Sequence, residues 1–287
     1  MIADKKQLPD FVLDHSEDLQ LAAHAAHAAG EIIRSGYQAA HQIDTKNVGD
    51  LVSEIDFEAD KVATQILAEQ GLTIVSEELN PDVEDTEQDM WIVDPLDGTT
   101  AYLMKAGTKF PSVLIAKRCG GDTTLGVVYF PLSNEWFYAD RQTGAFKDGQ
   151  LLKLPQIDWR LELAWIEMNQ YGNVACESEF FAATRRALRS PGGAQIVTST
   201  FPHAGVAMRI AEQSSGLTAA IHDNGPLHLK QGPWDIAANQ VIFEAAGGVF
   251  VNPEGKRTCP FKAEPIVIAP TLSFAQQIIQ CCHSSLV

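Results

Sequence analysis

The chain has 287 residues and carries 37 acidic against 21 basic residues, which gives a formal net charge of −16. Hydrophobic residues make up 45% and charged residues 20%, a composition that supports a packed core and excludes wholesale disorder. The acidic excess disfavours proteins that bind nucleic acid or an anionic membrane through surface charge. The acidic excess does not exclude binding of a small anionic substrate, because bound divalent metal ions would reverse the local electrostatic field.

The five cysteines suggest neither a disulfide framework nor a zinc ribbon, since their number is odd and no Cys-x-x-Cys pair occurs. No apolar run approaches the ~20 residues of a membrane span, and the N-terminus lacks the apolar region of a secretory signal. We therefore expect a reduced, soluble, cytoplasmic protein that binds neither nucleic acid nor membrane.

The N-terminal half predicts two helices followed by short strands. Apolar residues at three- and four-residue spacing predict a helix over residues 14–37, with Asp14 and Glu17 as a capping pair. His24 and His27 are three residues apart on this helix and could hold a metal, but we expect a solvated face. A second helix should cover residues 55–70 and end at Gly71. Turn-rich segments then separate β-like runs at residues 72–75, 91–93, 112–116, 125–130 and 135–138.

Beyond residue 155 strands and helices alternate, which predicts an α/β lobe. The predicted strands cover residues 163–167, 196–198, 217–221, 248–251 and 266–269, and the predicted helices cover residues 177–188, 234–246 and 272–282. Pro202 is expected to open a further helix. We accordingly divide the chain into an N-terminal α+β lobe, residues 1–155, and a C-terminal α/β lobe, residues 156–287.

The most informative stretch is Trp-Ile-Val-Asp-Pro-Leu-Asp-Gly-Thr-Thr at residues 91–100, where an apolar strand ends in two carboxylates. Its proline and glycine impose a tight turn. That turn can aim four oxygen donors at one point: the Asp94 and Asp97 carboxylates, the Leu96 carbonyl and the Thr99 hydroxyl. Such donors suit Mg²⁺ or Mn²⁺ and not zinc. Taken alone, the motif could also be an ordinary turn.

Three further acidic segments accompany this turn. Ser76-Glu77-Glu78 follows a predicted strand, although a solvated loop would look the same. Asp235 lies in Gly-Pro-Trp-Asp-Ile-Ala-Ala, in the first turn of a helix, where it could simply complement the helix dipole. The stretch at residues 46–56 places carboxylates before and at the start of the second helix, and alone it would indicate a cap and a loop.

Together these segments resemble the inositol monophosphatase family, part of a superfamily of metal-dependent, lithium-sensitive phosphatases. The resemblance rests on Gly-Asp-Leu-Val-Ser-Glu-Ile-Asp, Ser-Glu-Glu, Asp-Pro-Leu-Asp-Gly-Thr-Thr, Gly-Pro-Trp-Asp-Ile-Ala-Ala and Glu-Ala-Ala-Gly-Gly, in that order, over residues 15–270. It implies an α/β (α+β) fold with α-β-α-β-α layers, of the inositol monophosphatase and fructose-1,6-bisphosphatase type. It also implies a Mg²⁺-dependent phosphoric monoester hydrolase that uses an activated water.

The resemblance assigns roles to individual residues. Two or three Mg²⁺ ions, with Mn²⁺ as a possible substitute, would be bound by Glu77, Asp94, the Leu96 carbonyl, Asp97 and Asp235. Asp94 would bridge two ions, and a third, weaker ion would lie near Glu77 and the Asp50 loop. The catalytic group would be Thr99, Asp56 and Glu77, with Thr99 and Asp56 orienting the attacking water. The substrate would contact Gly98, Thr99, His228, Lys230 and Asp235, with the first two offering backbone N–H groups to phosphate.

The departures from the family lie on the side that recognises the alcohol. His228 stands where inositol-specific members carry a substrate-binding glutamate, and the surrounding segment, residues 222–231, is longer. The partner is expected to be a small phosphorylated metabolite, with an inositol monophosphate-like compound first. A 3′(2′),5′-bisphosphate nucleotide or a sugar bisphosphate is the alternative substrate. A non-catalytic, metal-binding regulatory protein is the alternative from another class, and we expect a homodimer.

Overall fold

The computed structural model describes residues 8–39, 43–47, 50–82, 85, 87–155, 157–169, 178–189, 193–199, 203–213, 216–223 and 232–283. The helices are α1 (Asp10–Leu13), α2 (Glu17–Gly36), α3 (Glu54–Leu67), α4 (Thr99–Leu103), α5 (Glu179–Leu188), α6 (His203–Glu212), α7 (Pro233–Ala245) and α8 (Leu272–His283). The first strands are β1 (Ile43–Asn47), β2 (Asp50–Ser53), β3 (Thr73–Ser76), β4 (Met90–Asp97), β5 (Ser112–Cys119), β6 (Asp122–Phe130) and β7 (Glu135–Asp140). The later strands are β8 (Gly144–Lys147), β9 (Gln150–Leu151), β10 (Trp165–Asn169), β11 (Gln195–Ser199), β12 (Ala219–His222), β13 (Val249–Val251) and β14 (Ile266–Ala269).

Two large sheets organise these elements. The seven-stranded sheet has the order β3-β4-β5-β6-β7-β8-β9, in which β3 and β4 are parallel and the later pairs are antiparallel. The five-stranded sheet has the order β11-β10-β12-β14-β13, and β10 is parallel to both of its neighbours. Because β3 and β4 are parallel and paired through Ser76 and Val93, the segments that follow them meet at one edge of the sheet.

Three apolar clusters hold the elements together in five layers. Alternate residues of β4 face opposite sides, with Trp91 packing against α2 and α3 and Ile92 facing the middle layer. In that middle layer α6 and α7 fill the space between the two sheets. The far face of the five-stranded sheet is covered by α5 and α8. The layers therefore run α-β-α-β-α, and the predicted fold is confirmed.

Helix α7 lies unusually close to strand β6. A β-carbon on Gly126 would come within 2.5 Å of Val241 Cγ1 and 2.8 Å of the Ala238 carbonyl oxygen, so the helix can approach only because residue 126 has no side chain. The apolar cluster of the middle layer, to which Val241 belongs, also includes residues of both sheets, among them Val128 and Ile268. Residue 155 thus separates two sheets that share one core, and the division into two lobes at that point stays a prediction.

Several element boundaries differ from the sequence expectations. Helix α2 begins at Glu17, because the Ser16 hydroxyl accepts a hydrogen bond from the Leu19 N–H at 3.3 Å, so Ser16 and not Asp14 is the cap. His24 is only 4% exposed, which contradicts the solvated face predicted for it. Strands β8 and β9 were not among the predicted strands. Within the described residues, no helix combines the length and apolar character needed to cross a membrane.

Candidate active site

Three aspartates from distant parts of the chain meet where β4 ends. Asp94 and Asp97 come from the end of β4, and Asp235 comes from the first turn of α7. One carboxylate oxygen of each lies within 4.8 Å of the other two. Asp94 and Asp97 are nearly inaccessible, at 1% and 5% exposure. The structure therefore concentrates negative charge at a point that both halves of the chain help to build.

Neutral donors hold each of these carboxylates in place. The Leu96 N–H donates to Asp94 Oδ1 at 3.0 Å, which closes the turn around the proline. Asp235 is the third residue of α7, and its Oδ2 accepts a 2.9 Å bond from the Gly232 N–H just before the helix. This bond explains why a carboxylate is favoured at a helix start.

Asp97 receives two donors that the sequence did not indicate. Its Oδ2 accepts from the fully buried Ser112 hydroxyl at 3.3 Å and from the Ala204 N–H at 3.0 Å. Ser112 opens β5, whereas Ala204 lies in the first turn of α6 in the middle layer. A serine at the start of a strand has no distinctive sequence pattern, so its contact with Asp97 was visible only in the fold.

Thr99 and Asp56 form a second pair beside the aspartates. The Thr99 hydroxyl donates to Asp56 Oδ1 at 2.7 Å and also lies 3.2 Å from the Leu96 carbonyl oxygen. The other oxygen of Asp56 accepts from both the N–H and the hydroxyl of Ser53, at 2.8 and 2.6 Å. Asp56 is 1% exposed. Because it is fixed by the start of α3, its carboxylate cannot turn away from Thr99.

Gly98 connects the aspartate turn to helix α4. Its φ of +89° is a left-handed conformation that a glycine adopts without strain, and it immediately precedes the first helical residue. Tyr102 anchors α4, because its buried hydroxyl donates to the Ile33 carbonyl of α2 at 3.0 Å. Burial raises the pKa of this phenol well above its ordinary value, so it remains a donor.

Glu77 lies at the same sheet edge, since its N–H donates to the Val93 carbonyl at 3.2 Å. Its carboxylate is not part of the aspartate trio. The two N–H groups after it, those of Glu78 and Leu79, both donate to Asp60 Oδ2 at 3.1 Å. Sequence reasoning missed Asp60, although it lies four residues after Asp56 on the face of α3 that Ala59 and Ala63 would have marked as buried.

The predicted recognition segment is described only where it begins. His222 and Asp223 are buried at 2% and 1% exposure, and Asp223 Oδ2 accepts the Ser178 N–H at 2.8 Å. Burial lowers the pKa of His222 to about 3, so the imidazole is neutral near pH 7. His228 and Lys230 lie outside the described residues.

The aspartate trio fits a hard divalent cation. Three mutually close carboxylates repel one another, and a cation of high charge density offsets that repulsion. The donors at the site are oxygens from carboxylates, with the Leu96 carbonyl and the Thr99 hydroxyl adjacent, which is the ligand chemistry of Mg²⁺. Asp94, Asp97 and Asp235 are thus the residues that can hold such an ion.

Known proteins have sequences related to this chain over most of its length. An inositol monophosphatase from Mesembryanthemum crystallinum is 32% identical over 247 residues, covering 84% of this chain and 87% of that protein. The Nus factor SuhB of Pasteurella multocida is 29% identical over 261 residues, covering 88% and 92%.

Solved structures give the same architecture. The extragenic suppressor protein suhB from Bartonella henselae superposes with a TM-score of 0.78 at 23% identity, over 93% of this chain and 98% of that one. An IMPase/NADP phosphatase complexed with Mg²⁺ and phosphate has a TM-score of 0.70 at 21% identity, over 88% and 90%. The sequence profile of the family described as "Inositol monophosphatase family" matches residues 14–285. The chain therefore belongs to the inositol monophosphatase family.

Proposed function

We propose that the protein is a Mg²⁺-dependent phosphomonoesterase that acts on a small phosphorylated metabolite. The observation that carries the proposal is the aspartate trio beside a hydrogen-bonded Thr99–Asp56 pair. The Mg²⁺–phosphate complex of the IMPase/NADP phosphatase structure supports the choice of ion and of ligand class. Hydrolysis of a phosphate ester needs a binding place for the anionic phosphate and an oriented water. The aspartate trio with its metal ions could supply the first, and the Thr99–Asp56 pair could supply the second.

Thr99 and Asp56 would hold the water. The Thr99 hydroxyl directs its proton at Asp56 Oδ1, which leaves its own lone pairs to accept a hydrogen bond from water. Asp56 keeps its orientation because its second oxygen is bonded to Ser53. A water fixed in this way would be positioned for in-line attack on phosphorus, so the rate would gain from its orientation. Such a reaction needs no covalent nucleophile on the protein.

Asp94, Asp97, Asp235, Glu77 and the Leu96 carbonyl would hold two or three Mg²⁺ ions, with Asp94 shared between two of them. When bound, the ions supply positive charge that offsets the phosphate and makes a nearby water more acidic. The N–H groups of Gly98 and Thr99, at the start of α4, would donate to phosphate oxygens. We further propose inhibition by Li⁺ and replacement of Mg²⁺ by Mn²⁺.

An inositol monophosphate-like compound is the first choice of substrate, supported by the similarity to the plant inositol monophosphatase. The longer segment at residues 222–231 and the departure at His228 keep a 3′(2′),5′-bisphosphate nucleotide and a sugar bisphosphate as alternatives. His228, Lys230 and Asp235 would contact the leaving alcohol. A homodimer also stays a prediction, which sedimentation velocity can test.

The test is phosphate release from an inositol monophosphate, a nucleoside 3′,5′-bisphosphate, a sugar bisphosphate and an aryl phosphate, each with Mg²⁺ and with chelator. We expect turnover of at least one metabolite, lost on chelation and restored by Mg²⁺. Undiminished release in excess chelator after dialysis would contradict metal dependence. Release from none of the substrates with Mg²⁺ present would contradict the proposed activity on these classes.

A regulatory role is the second candidate, because a relative at 29% identity is named a Nus factor. The trio and the Thr99–Asp56 pair are both intact here, and a chain that had lost turnover would not need the latter. Phosphate release by the wild type and its loss in Asp94→Asn would favour catalysis over a purely regulatory function.

A further inference from the structure

Helix α3 presents two buried carboxylates one turn apart toward the candidate site. Asp56 faces Thr99, as described above, and Asp60 faces the turn that follows β3. Asp60 is fully buried, and a single oxygen of its carboxylate accepts two consecutive N–H groups, from Glu78 and Leu79, at 3.1 Å each. The two carboxylates of one helix therefore bind two different segments of the site.

The turn bound by Asp60 begins with Glu77. On one side of Glu77, its own N–H donates to the Val93 carbonyl, one residue before Asp94. On the other side, Asp60 accepts the next two N–H groups. The backbone of Glu77 is thus fixed from both directions, by the strand that carries Asp94 and by the helix that carries Asp56.

Capping alone does not account for a charged group at this position. Leu79 is 52% exposed, so the turn lies at the surface, whereas Asp60 is fully buried, and burial of a carboxylate is costly unless it is hydrogen-bonded. Charge-assisted bonds to two adjacent N–H groups hold a turn more firmly than neutral acceptors. The negative charge of Asp60 also adds to the potential that attracts a cation to Glu77.

We propose that Asp60 is a positioning residue that sets the Mg²⁺ affinity of the site by fixing Glu77. The inference rests on the proposed function, and in particular on Glu77 as a Mg²⁺ ligand. Asp60 acts through the backbone of residues 77–79 and does not itself touch ion or substrate.

The experiment is calorimetric titration of Mg²⁺ into wild type, Asp60→Asn, Glu77→Gln and the double variant, with phosphate release as a second readout. We expect Asp60→Asn to raise the Mg²⁺ Kd about 10-fold, as is typical for groups that orient metal ligands. The kcat at saturating Mg²⁺ should change less than about 3-fold, because the ion restores the ligand geometry once bound. In the Glu77→Gln background, Asp60→Asn should add less than a 2-fold change.

Asp148→Asn is the matched control. Asp148 lies between β8 and β9, away from the site, and its carboxylate likewise accepts a backbone N–H, that of Trp136, at 2.8 Å. This variant should bind Mg²⁺ as the wild type does. Thermal melting in chelator checks that each variant is folded. If Asp60→Asn does not fold, Asp60→Glu keeps the charge while displacing the oxygen by one methylene, and its Mg²⁺ Kd should rise about 3-fold.

The outcomes separate this inference from the proposed function. A wild-type Kd in the folded Asp60 variant would overturn the positioning role while the Mg²⁺ centre stands. An equal loss with and without Glu77 would assign Asp60 to the fold and also overturn it. A wild-type protein that binds no Mg²⁺ would overturn the metal centre, and this inference with it.

Discussion

The Thr99 hydroxyl donates a 2.7 Å hydrogen bond to Oδ1 of Asp56, a residue that precedes it by 43 positions. Each partner is fixed by its own helix start, Asp56 through Ser53 and Thr99 through the glycine before α4. The hydroxyl proton is therefore directed before any substrate arrives. This is the preorganisation that water-mediated hydrolysis requires.

Replacing Thr99 by valine should lower kcat by about 100-fold or more, because the isosteric side chain removes the hydroxyl that we propose orients the water. Thr99→Ser keeps that hydroxyl and should retain most of the activity. The exposed neighbour Thr100 provides the control, since Thr100→Val changes the same atoms one residue away. Initial rates at saturating Mg²⁺ measure all three variants. An active Thr99→Val protein would exclude the proposed role.

Asp94→Asn should abolish turnover. The variant should nevertheless stay folded when no Mg²⁺ is bound. The substitution removes the shared ligand, and it also removes one repulsive charge from a trio whose oxygens lie within 4.8 Å. Thermal melting in chelator should show a midpoint equal to or above that of the wild type. A near-wild-type kcat under saturating Mg²⁺ would refute the bridging role of Asp94.

Substrate choice should depend on residues 222–231 and not on the metal ions. We expect His228→Ala and Lys230→Ala to lower kcat/KM for the best natural substrate at least ~10-fold, about 1.4 kcal/mol of transition-state binding. The same variants should change kcat/KM for an aryl phosphate little, because that substrate offers only the phosphate group. Equal losses on both substrates would point to the metal centre or the fold, and unchanged values would place the segment away from the site.

The stability of the fold should decrease as pH rises from about 4.5 to about 8 because of Glu167. This residue lies at the centre of β10, is fully buried, and has no hydrogen-bond partner for either carboxylate oxygen within the described part of the chain. Burial raises its pKa from 4.5 to about 8, an effect that Arg209 partly opposes. The protonated form is therefore favoured by folding, and its contribution to stability is lost as pH rises from about 4.5 to about 8, by roughly 5 kcal/mol.

Glu167→Gln keeps the shape and cannot ionise, so it should flatten the fall in unfolding free energy between pH 5 and 8. Urea unfolding at several pH values provides the measurement. The same change at the exposed Glu162 serves as the control and should leave the pH profile as it is. If the slope persists in Glu167→Gln, another group is responsible for it.

The sequence predicted most elements because the relevant signals are local, whereas the order of the layers came from the resemblance to the family. The aspartate turn, the helix start at Asp235 and the alternation beyond residue 155 each carry their own pattern. The exposure of His24 was predicted wrongly for a physical reason. Helix α2 packs against both α3 and the seven-stranded sheet, so its alanine-rich surface is buried around most of its circumference. The polar residues of α2 therefore did not indicate which side of the helix faces solvent, and His24 is buried.

The supporting residues of the site could not be predicted in the same way. Asp60, Ser112 and Ala204 contribute through contacts with segments that lie 18, 15 and 107 positions away. No spacing rule connects a helix carboxylate with a later backbone turn. Strands β8 and β9 escaped prediction because their four and two residues are too few for an alternation to be recognised.

The dependence of α7 on Gly126 has a consequence for how the protein matures during translation. Asp94 and Asp97 leave the ribosome long before Asp235, and α7 can settle only against a β6 strand that already presents its bare backbone. The trio is thus completed only once α7 has been synthesised. A nascent chain interrupted before residue 233 holds two of the three aspartates and lacks the helix that joins its sheets. Completion of the aspartate trio is in this way tied to the synthesis of α7.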